Sequence, residues 1–370
     1  MKVAFVLFRY FPHGGLQQDC LRIARVAAGR GHQVRFFTME WQGELPGAGI
    51  EVELLPVSGW SNHARAKDFE RKFQALSPDR FDAVVLFNRM AGGDFYFAAD
   101  SCLAAELPRR HSRFALRWNP RYRTFLAQER AVFSPESRTR IWYITSRQKE
   151  DFIRCYGTPE ERFDLLPPGI DPVYRRSPEE IGRIRSRVRG DLGIASGERL
   201  LITVGANLPL KGADRAVRAL ASLPEPLRNR CRLVLAGGRG EAAFALARKL
   251  GVADRVRLLG MRGDVPELLP AADLMVHPAR SEAGGNVIVE ALASAVPPLV
   301  SGLCGFAEYA AKADPLLVLP EPFDQEKLDR RLAEALDRIE PLRAAALSCA
   351  ERCDFYHRAE VAVNLLERRA

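Results

Sequence analysis

Leu274-Met275-Val276-His277, then Ser281-Glu282-Ala283-Gly284-Gly285-Asn286-Val287-Ile288-Val289-Glu290-Ala291-Leu292, is the stretch that decides how this chain is read. The first four residues form a short apolar run, the pattern of a buried strand. Val287 onward is a helical pattern, Val287–Ala295. Two glycines stand at the turn between them, so backbone amides lie bare at a helix start that carries partial positive charge. A phosphate fits such a place. Glu282 lies in the loop and Glu290 lies eight residues on, inside the helix. Amides for a diphosphate and carboxylates for hydroxyls together make a grip suited to a sugar nucleotide.

Working outward, the same strand-then-helix alternation fills the chain. In the first half Val3–Phe8, Gln33–Thr38, Val52–Leu55, Ala83–Phe87 and Ile141–Thr145 read as strands, with helical spacing over Gln17–Ala28 and Ala64–Leu76. In the second half Leu200–Val204, Cys231–Ala236, Val256–Leu259, Leu274–His277, Pro298–Val300 and Leu316–Leu319 read as strands. Lys211–Leu223, Glu241–Leu250 and Gln325–Ile339 join Val287–Ala295 as helices. Alternation of this kind implies an α/β fold with parallel, doubly wound sheets. The 370 residues suit two domains. Leu165-Leu166-Pro167-Pro168-Gly169 breaks the pattern and is the linker candidate. The expected division is 1–167 and 168–352, with a helical tail over roughly 340–369.

Composition excludes several classes. No run approaches the roughly 18–20 apolar residues of a membrane span, and Val3–Phe8 is too short for a signal-peptide core. Seven scattered cysteines, an odd number, suit a reducing compartment rather than a disulfide framework. The net charge is +9, and residues 1–167 hold 25 Lys+Arg against 19 Asp+Glu, so they carry +6 of it. A basic surface suits a phosphorylated substrate, anionic lipid or nucleic acid, but no zinc-finger spacing or RNA-stacking motif supports the last. Arg109, Arg110, Arg113, Arg117, Arg121 and Arg123 interleave with Phe114, Trp118, Tyr122 and Phe125, a mixture suited to an anionic membrane surface. A partly packed surface helix with a solvated arginine face is the alternative reading.

Phe5-Val6-Leu7-Phe8-Arg9-Tyr10-Phe11-Pro12-His13-Gly14-Gly15-Leu16-Gln17-Gln18-Asp19, Phe95-Tyr96-Phe97-Ala98-Ala99-Asp100, Leu166-Pro167-Pro168-Gly169-Ile170, Ala271-Ala272-Asp273-Leu274 and the Glu282-to-Glu290 spacing occur here in order. Together they resemble the lipopolysaccharide core glucosyltransferases that add the first hexose to inner-core heptose. These are retaining enzymes of glycosyltransferase family 4 with the GT-B architecture. The resemblance covers nearly the whole chain. It implies two facing Rossmann-like domains with a deep cleft between them, the first for the acceptor and the second for the nucleotide sugar, with the C-terminal helix, about 353–370, rejoining the first domain. The implied reaction moves glucose from UDP-glucose to an inner-core heptose, peripherally on the cytoplasmic face of the inner membrane.

The resemblance implies catalytic places for Asp19, Asp100, Lys211 and Glu282. It implies donor contacts for Gly14, Gly15, Lys211, Val265, Glu282, Ala283, Gly284, Gly285, Asn286 and Glu290. Glu282 would meet the hexose, Glu290 the ribose and Val265 the base. Lys211 would neutralise the diphosphate, with Arg175 or Arg176 as possible helpers. Related enzymes often place a second basic residue in the Lys211 loop, where this chain has Ala206 and Leu210. No Asp-x-Asp occurs anywhere in the sequence, which fits charge neutralisation by lysine and helix amides, and the resemblance implies transfer without a metal or other cofactor. Three rival readings stand beside this one: another UDP-hexose, such as a UDP-N-acetylhexosamine, or another lipid-linked acceptor; a nucleotide-sugar epimerase; and a non-catalytic lipid-binding relative.

Overall fold

The structure is a computed structural model that describes residues 1–12, 14–76 and 80–368, with the side chains of Arg109, Arg110 and Arg113 outside the described set. The chain divides into two compact units, one of residues 1–169 with 357–370 and one of residues 170–356.

The first unit is built on β1 (Lys2–Val6), β2 (Arg9–Tyr10), β3 (Gln33–Thr38), β4 (Glu40–Trp41), β5 (Ile50–Leu54), β6 (Ala83–Leu86), β7 (Phe95–Ala98), β8 (Arg140–Tyr143) and β9 (Phe163–Leu165). Seven of them form one sheet in the order β5-β3-β1-β6-β7-β8-β9, with β2 and β4 as a separate small ladder. Every pairing is parallel. Parallel strands need crossovers, supplied here by α1 (Gly15–Gly29), α2 (Asn62–Ala75), α3 (Leu103–Arg110), α4 (Arg113–Trp118), α5 (Pro120–Phe133) and α6 (Ser146–Tyr156). Phe5, Phe87 and Phe97, all buried, run across neighbouring strands with ring centroids 5.9 and 5.5 Å apart. Burying each such ring contributes about 1.5–3 kcal/mol.

β7 and β9 are strands that the sequence patterns did not mark. The same holds for α3 to α6, where Pro108 lies inside α3 and Pro120 opens α5. One buried carboxylate fixes this helical region. Glu129 of α5 accepts from the amides of Leu103 and Ala104 at 2.8 and 3.0 Å, so it caps α3. It also takes the Tyr156 hydroxyl at 2.6 Å and lies 3.0 Å from Arg89 Nε. Four partners compensate its desolvation, which is why a fully buried glutamate is tolerated.

The second unit opens on α7 (Pro178–Asp191), begun by a capping box between Ser177 and Glu180. Its strands are β10 (Arg199–Gly205), β11 (Cys231–Gly237), β12 (Val256–Gly260), β13 (Leu274–His277), β14 (Pro298–Ser301) and β15 (Val318–Leu319). They form one parallel sheet in the order β12-β11-β10-β13-β14-β15. That is the doubly wound arrangement, with its switch point between β10 and β13. The helices are α8 (Ala213–Ser222), α9 (Glu225–Arg228), α10 (Glu241–Lys249), α11 (Val265–Ala271), α12 (Asn286–Ala293), α13 (Ala307–Ala313), α14 (Gln325–Asp337) and α15 (Ile339–Arg352). Both sheets are those of Rossmann-like domains, the fold class of GT-B enzymes. The chain then closes with α16 (Arg358–Glu367), which packs on α1 in the first unit.

Candidate functional site

Ligands of doubly wound sheets bind at the carboxyl ends of the strands beside the switch point. In the second unit those strands are β10 and β13, and the loops leaving them hold Lys211 and Glu282. The two loops are tied together by backbone. Arg280 N donates to Leu210 O at 2.8 Å, and Gly212 packs so closely on Pro278 that a Cβ there would lie 2.2 Å from its carbonyl oxygen. Gly212 also holds φ +77°, a conformation that costs glycine little.

This packing brings together side chains 71 residues apart: Lys211 Nζ donates to Glu282 Oε2. His277, fully buried at the end of β13, places Nε2 3.3 Å from the same oxygen. Burial pushes the Glu282 carboxyl up, but the His277 hydrogen bond and the Lys211 charge outweigh it and hold the group at about 2. Glu282 is therefore a carboxylate at neutral pH. The Lys211 stem lies against the end of β10, because a Cβ on Gly205 would meet Lys211 Cγ at 2.6 Å.

Gly285 is the N-cap of α12, at φ +98°, and no side chain caps that helix start. A Cβ at Gly285 would come within 2.9 Å of Glu282 Cγ. Gly284 O accepts from Phe306 N at 2.8 Å, and Glu282 O accepts from Gly305 N at 3.2 Å. The loop from Glu282 through Ala283 and Gly285 to Asn286 is thus anchored on the segment after β14. An uncapped helix start with a lysine beside it is suited to an anion.

Glu290 lies within α12, where the Tyr174 hydroxyl donates to its Oε2 at 3.2 Å. Burial and the neighbouring Glu290 both push the Tyr174 phenol up, so it stays a donor. Val265 is half-buried at the start of α11. Arg176 Nη1 donates to the adjacent Pro266 O at 2.5 Å, and the Arg175 guanidinium stacks 4.4 Å above the Tyr356 ring. Arg280 is the basic residue nearest in chain to this loop pair, but Asp214 holds it bidentately at 2.7 Å.

In the first unit Gly14 is the N-cap of α1, with Phe11 and Gln17 so near that a Cβ would meet Phe11 Cε2 at 2.6 Å. A Cβ on Gly15 would face open space. Asp100 is exposed after β7, and Gln148 Nε2 donates to its carbonyl at 3.2 Å. Asp19, for which the resemblance implies a catalytic place, is paired within the first unit. It is buried, and its Oδ2 accepts from Arg358 Nη1 at 2.6 Å. Burial raises this carboxyl while Arg358 and Arg22 lower it. Arg358 also donates through Nε to Pro167 O at 2.8 Å, so the pair holds α16 against the end of the first stretch of the unit.

Of the interleaved arginines, Arg117, Arg121 and Arg123 are exposed on α4 and α5, and the side chains of Arg109, Arg110 and Arg113 lie outside the described residues. Trp118 and Phe114 are 62% and 74% exposed, a large apolar exposure for side chains so close together. Phe125 departs from its expected place beside them. It is half-buried and lines a cavity with Phe8 and Phe11. Tyr174, Arg9 and Arg65 are neighbours that the sequence does not mark, since their partners are distant in the chain, whereas His277 is legible at its strand end and meets Glu282 five residues on. Among the described residues no His/Cys/Asp/Glu group is arranged to hold a metal ion, and no helix is long and apolar enough to cross a membrane.

Comparison with known proteins adds independent findings. Residues 185–346 match the family model of glycosyl transferases group 1, and residues 13–174 match that of glycosyltransferase family 4. The chain is 42% identical to the lipopolysaccharide glucosyltransferase WaaG of Escherichia coli K12, over 99% of this chain and 98% of that protein. It is 27% identical to a D-inositol 3-phosphate glycosyltransferase of Stackebrandtia nassauensis, covering 94% and 85% of the two chains. A crystal structure of WaaG superposes with a TM-score of 0.89 at 39% identity, covering 98% of this chain and 99% of that one. Anabaena HepE, crystallised with UDP and glucose, shares the fold with a TM-score of 0.74 at 19% identity over all of both chains.

Proposed function

This chain belongs to the lipopolysaccharide glucosyltransferase family of two-domain glycosyltransferases, and from that premise we propose that it moves glucose from UDP-glucose to an inner-core heptose of lipopolysaccharide. The observation that carries the donor side is the cluster of Lys211, Glu282 and His277 beside the uncapped start of α12, at the switch point of the second sheet. The diphosphate takes the α12 amides and Lys211. Glu282, ionised at neutral pH, accepts from hexose hydroxyls. Glu290, steadied by Tyr174, accepts from the ribose, and Val265 lies along the base.

Transfer breaks the bond from the anomeric carbon to the β-phosphate and forms one to the acceptor oxygen on the same face. The acceptor proton ends on the departing phosphate. Lys211 and the helix amides stabilise the charge that develops there, the role a metal ion plays elsewhere. The reaction is therefore proposed to retain configuration and to need no metal. Exposed Arg117, Arg121 and Arg123 with Trp118 dock the enzyme on the anionic surface that bears its lipid-linked acceptor, at the cytoplasmic face of the inner membrane.

The test is the stereochemistry of the product. Glucosylated core oligosaccharide, examined by proton NMR at the new anomeric centre, should carry an α-linked glucose. A β linkage would overturn the proposed mechanism.

A further inference from the structure

The first unit has a switch point of its own, between β1 and β6, and a cavity of about 270 Å³ lies at their carboxyl ends. The two strand ends are joined there by Asn88, whose Oδ1 accepts from Phe8 N at 2.7 Å. That bond uses only the acceptor end of the amide. Phe8, Phe11 and Phe125 supply aromatic wall, and Arg9 and Arg65 supply cations. A volume just below the roughly 300–1,000 Å³ of small-molecule pockets suits one sugar ring rather than an oligosaccharide.

The charges are unevenly matched. Arg9 Nε lies 3.7 Å from Glu40 Oε1, and Arg65 Nη2 donates to the same oxygen. The Arg65 hydrogen bond, helped by Arg9 and opposed by burial, holds the Glu40 carboxyl below its usual range. Two guanidiniums therefore share one carboxylate oxygen, with one positive charge in excess. Neither makes a two-pronged contact with Glu40, and among the described residues no other hydrogen bond takes their guanidinium nitrogens, so most donors of both forks are available to another anion. A neutral hydroxyl needs no such pair.

We propose that this cavity receives the acceptor saccharide by an acidic substituent, a phosphate or carboxylate held by Arg9 and Arg65, with the ring against the phenylalanines. This rests on the function proposed above and adds a charge requirement to it. Glu40 is then an internal competitor, and Arg65 and Arg9 set which acceptors are used.

The experiment measures glucose transfer to three forms of truncated core lipopolysaccharide: native, phosphatase-treated, and carboxyl-amidated. The acceptor KM should rise about tenfold or more for whichever treatment removes the bound anion, and that arm identifies phosphate or carboxylate. Arg65→Gln should raise KM for native acceptor by about the same factor and erase the difference between the forms. Glu40→Gln should lower KM for native acceptor. Calorimetry should show UDP binding unchanged in each variant, and Arg9→Gln offers a second test should Arg65→Gln fold poorly. Equal use of all three forms by wild type, or equal losses on all three in Arg65→Gln, would overturn the inference while leaving the proposed function standing. Failure of wild type to glucosylate any of the three would instead remove the proposed function.

Discussion

Replacing Lys211 by Met removes one charge and keeps the apolar stem that lies against Gly205. The consequence for Glu282 follows from its carboxyl, which falls from an ordinary 4.5 to about 2 despite burial. At about 1.4 kcal/mol per pH unit, that shift corresponds to roughly 3.5 kcal/mol. His277 and Lys211 both hold the carboxyl down, so losing Lys211 should cost a part of this, on the order of 1 kcal/mol of stability, or roughly 2–4 °C in Tm for a domain of this size. The sign is set by a depressed carboxyl. The contribution is full above about pH 4.5 and fades as pH falls through about 2, so the two proteins should converge in strong acid. The larger effect is on the donor. A charge-assisted contact to diphosphate is worth about 1.5–3 kcal/mol, so UDP-glucose should bind about 10–150-fold more weakly by calorimetry. A variant with that fall in Tm but unchanged UDP-glucose affinity and unchanged turnover would rule out a contact between Lys211 and the diphosphate. Lys211 would then serve only as the partner of Glu282.

Glu282→Gln should keep UDP binding and lose most glucose transfer, because the missing contact is to the hexose; joint loss of both would place the residue wrongly. Gly285→Ala forces a side chain into a left-handed position and onto Glu282, so it should cost about 1–3 kcal/mol by chemical denaturation and depress turnover. A neutral effect would show that the loop adapts. Changing Arg117, Arg121 and Arg123 together to Glu removes contacts worth about 1 kcal/mol each near an anionic bilayer. Sedimentation with anionic liposomes should be lost while UDP binding persists, and equal binding by wild type and variant would exclude this surface as the membrane contact.

Periodicity carried the sheets well. Gln33–Thr38 and Leu274–His277 have the same bounds in sequence pattern and structure, since a buried parallel strand is a continuous apolar run. β9 escaped because three residues show no period, α3 because Pro108 interrupts its period, and α5 because Pro120, accepted at a helix start, reads in sequence as a break. The loop glutamate and the glycine pair were legible as a local motif. What they touch was not. Lys211 and Glu282 meet only because β10 and β13 are neighbours in the sheet, a fact of topology that no local window contains. Asp19 reads in sequence as a carboxylate near a helix start, and no local pattern marks its partner Arg358, which stands 339 residues away. Phe125 looked like one more aromatic among arginines, and the face of α5 that it occupies turns it into a cavity wall instead.

The most direct measurement is transfer of radiolabelled glucose from UDP-glucose to core lipopolysaccharide ending in heptose, after the protein has been stripped of divalent ions and with excess EDTA present. Label should enter the lipopolysaccharide at the same rate with and without EDTA. No transfer from UDP-glucose alongside efficient transfer from another UDP-hexose would contradict the donor assignment. Complete loss in EDTA, restored by magnesium or manganese, would contradict the charge-neutralising role of Lys211 and the α12 amides.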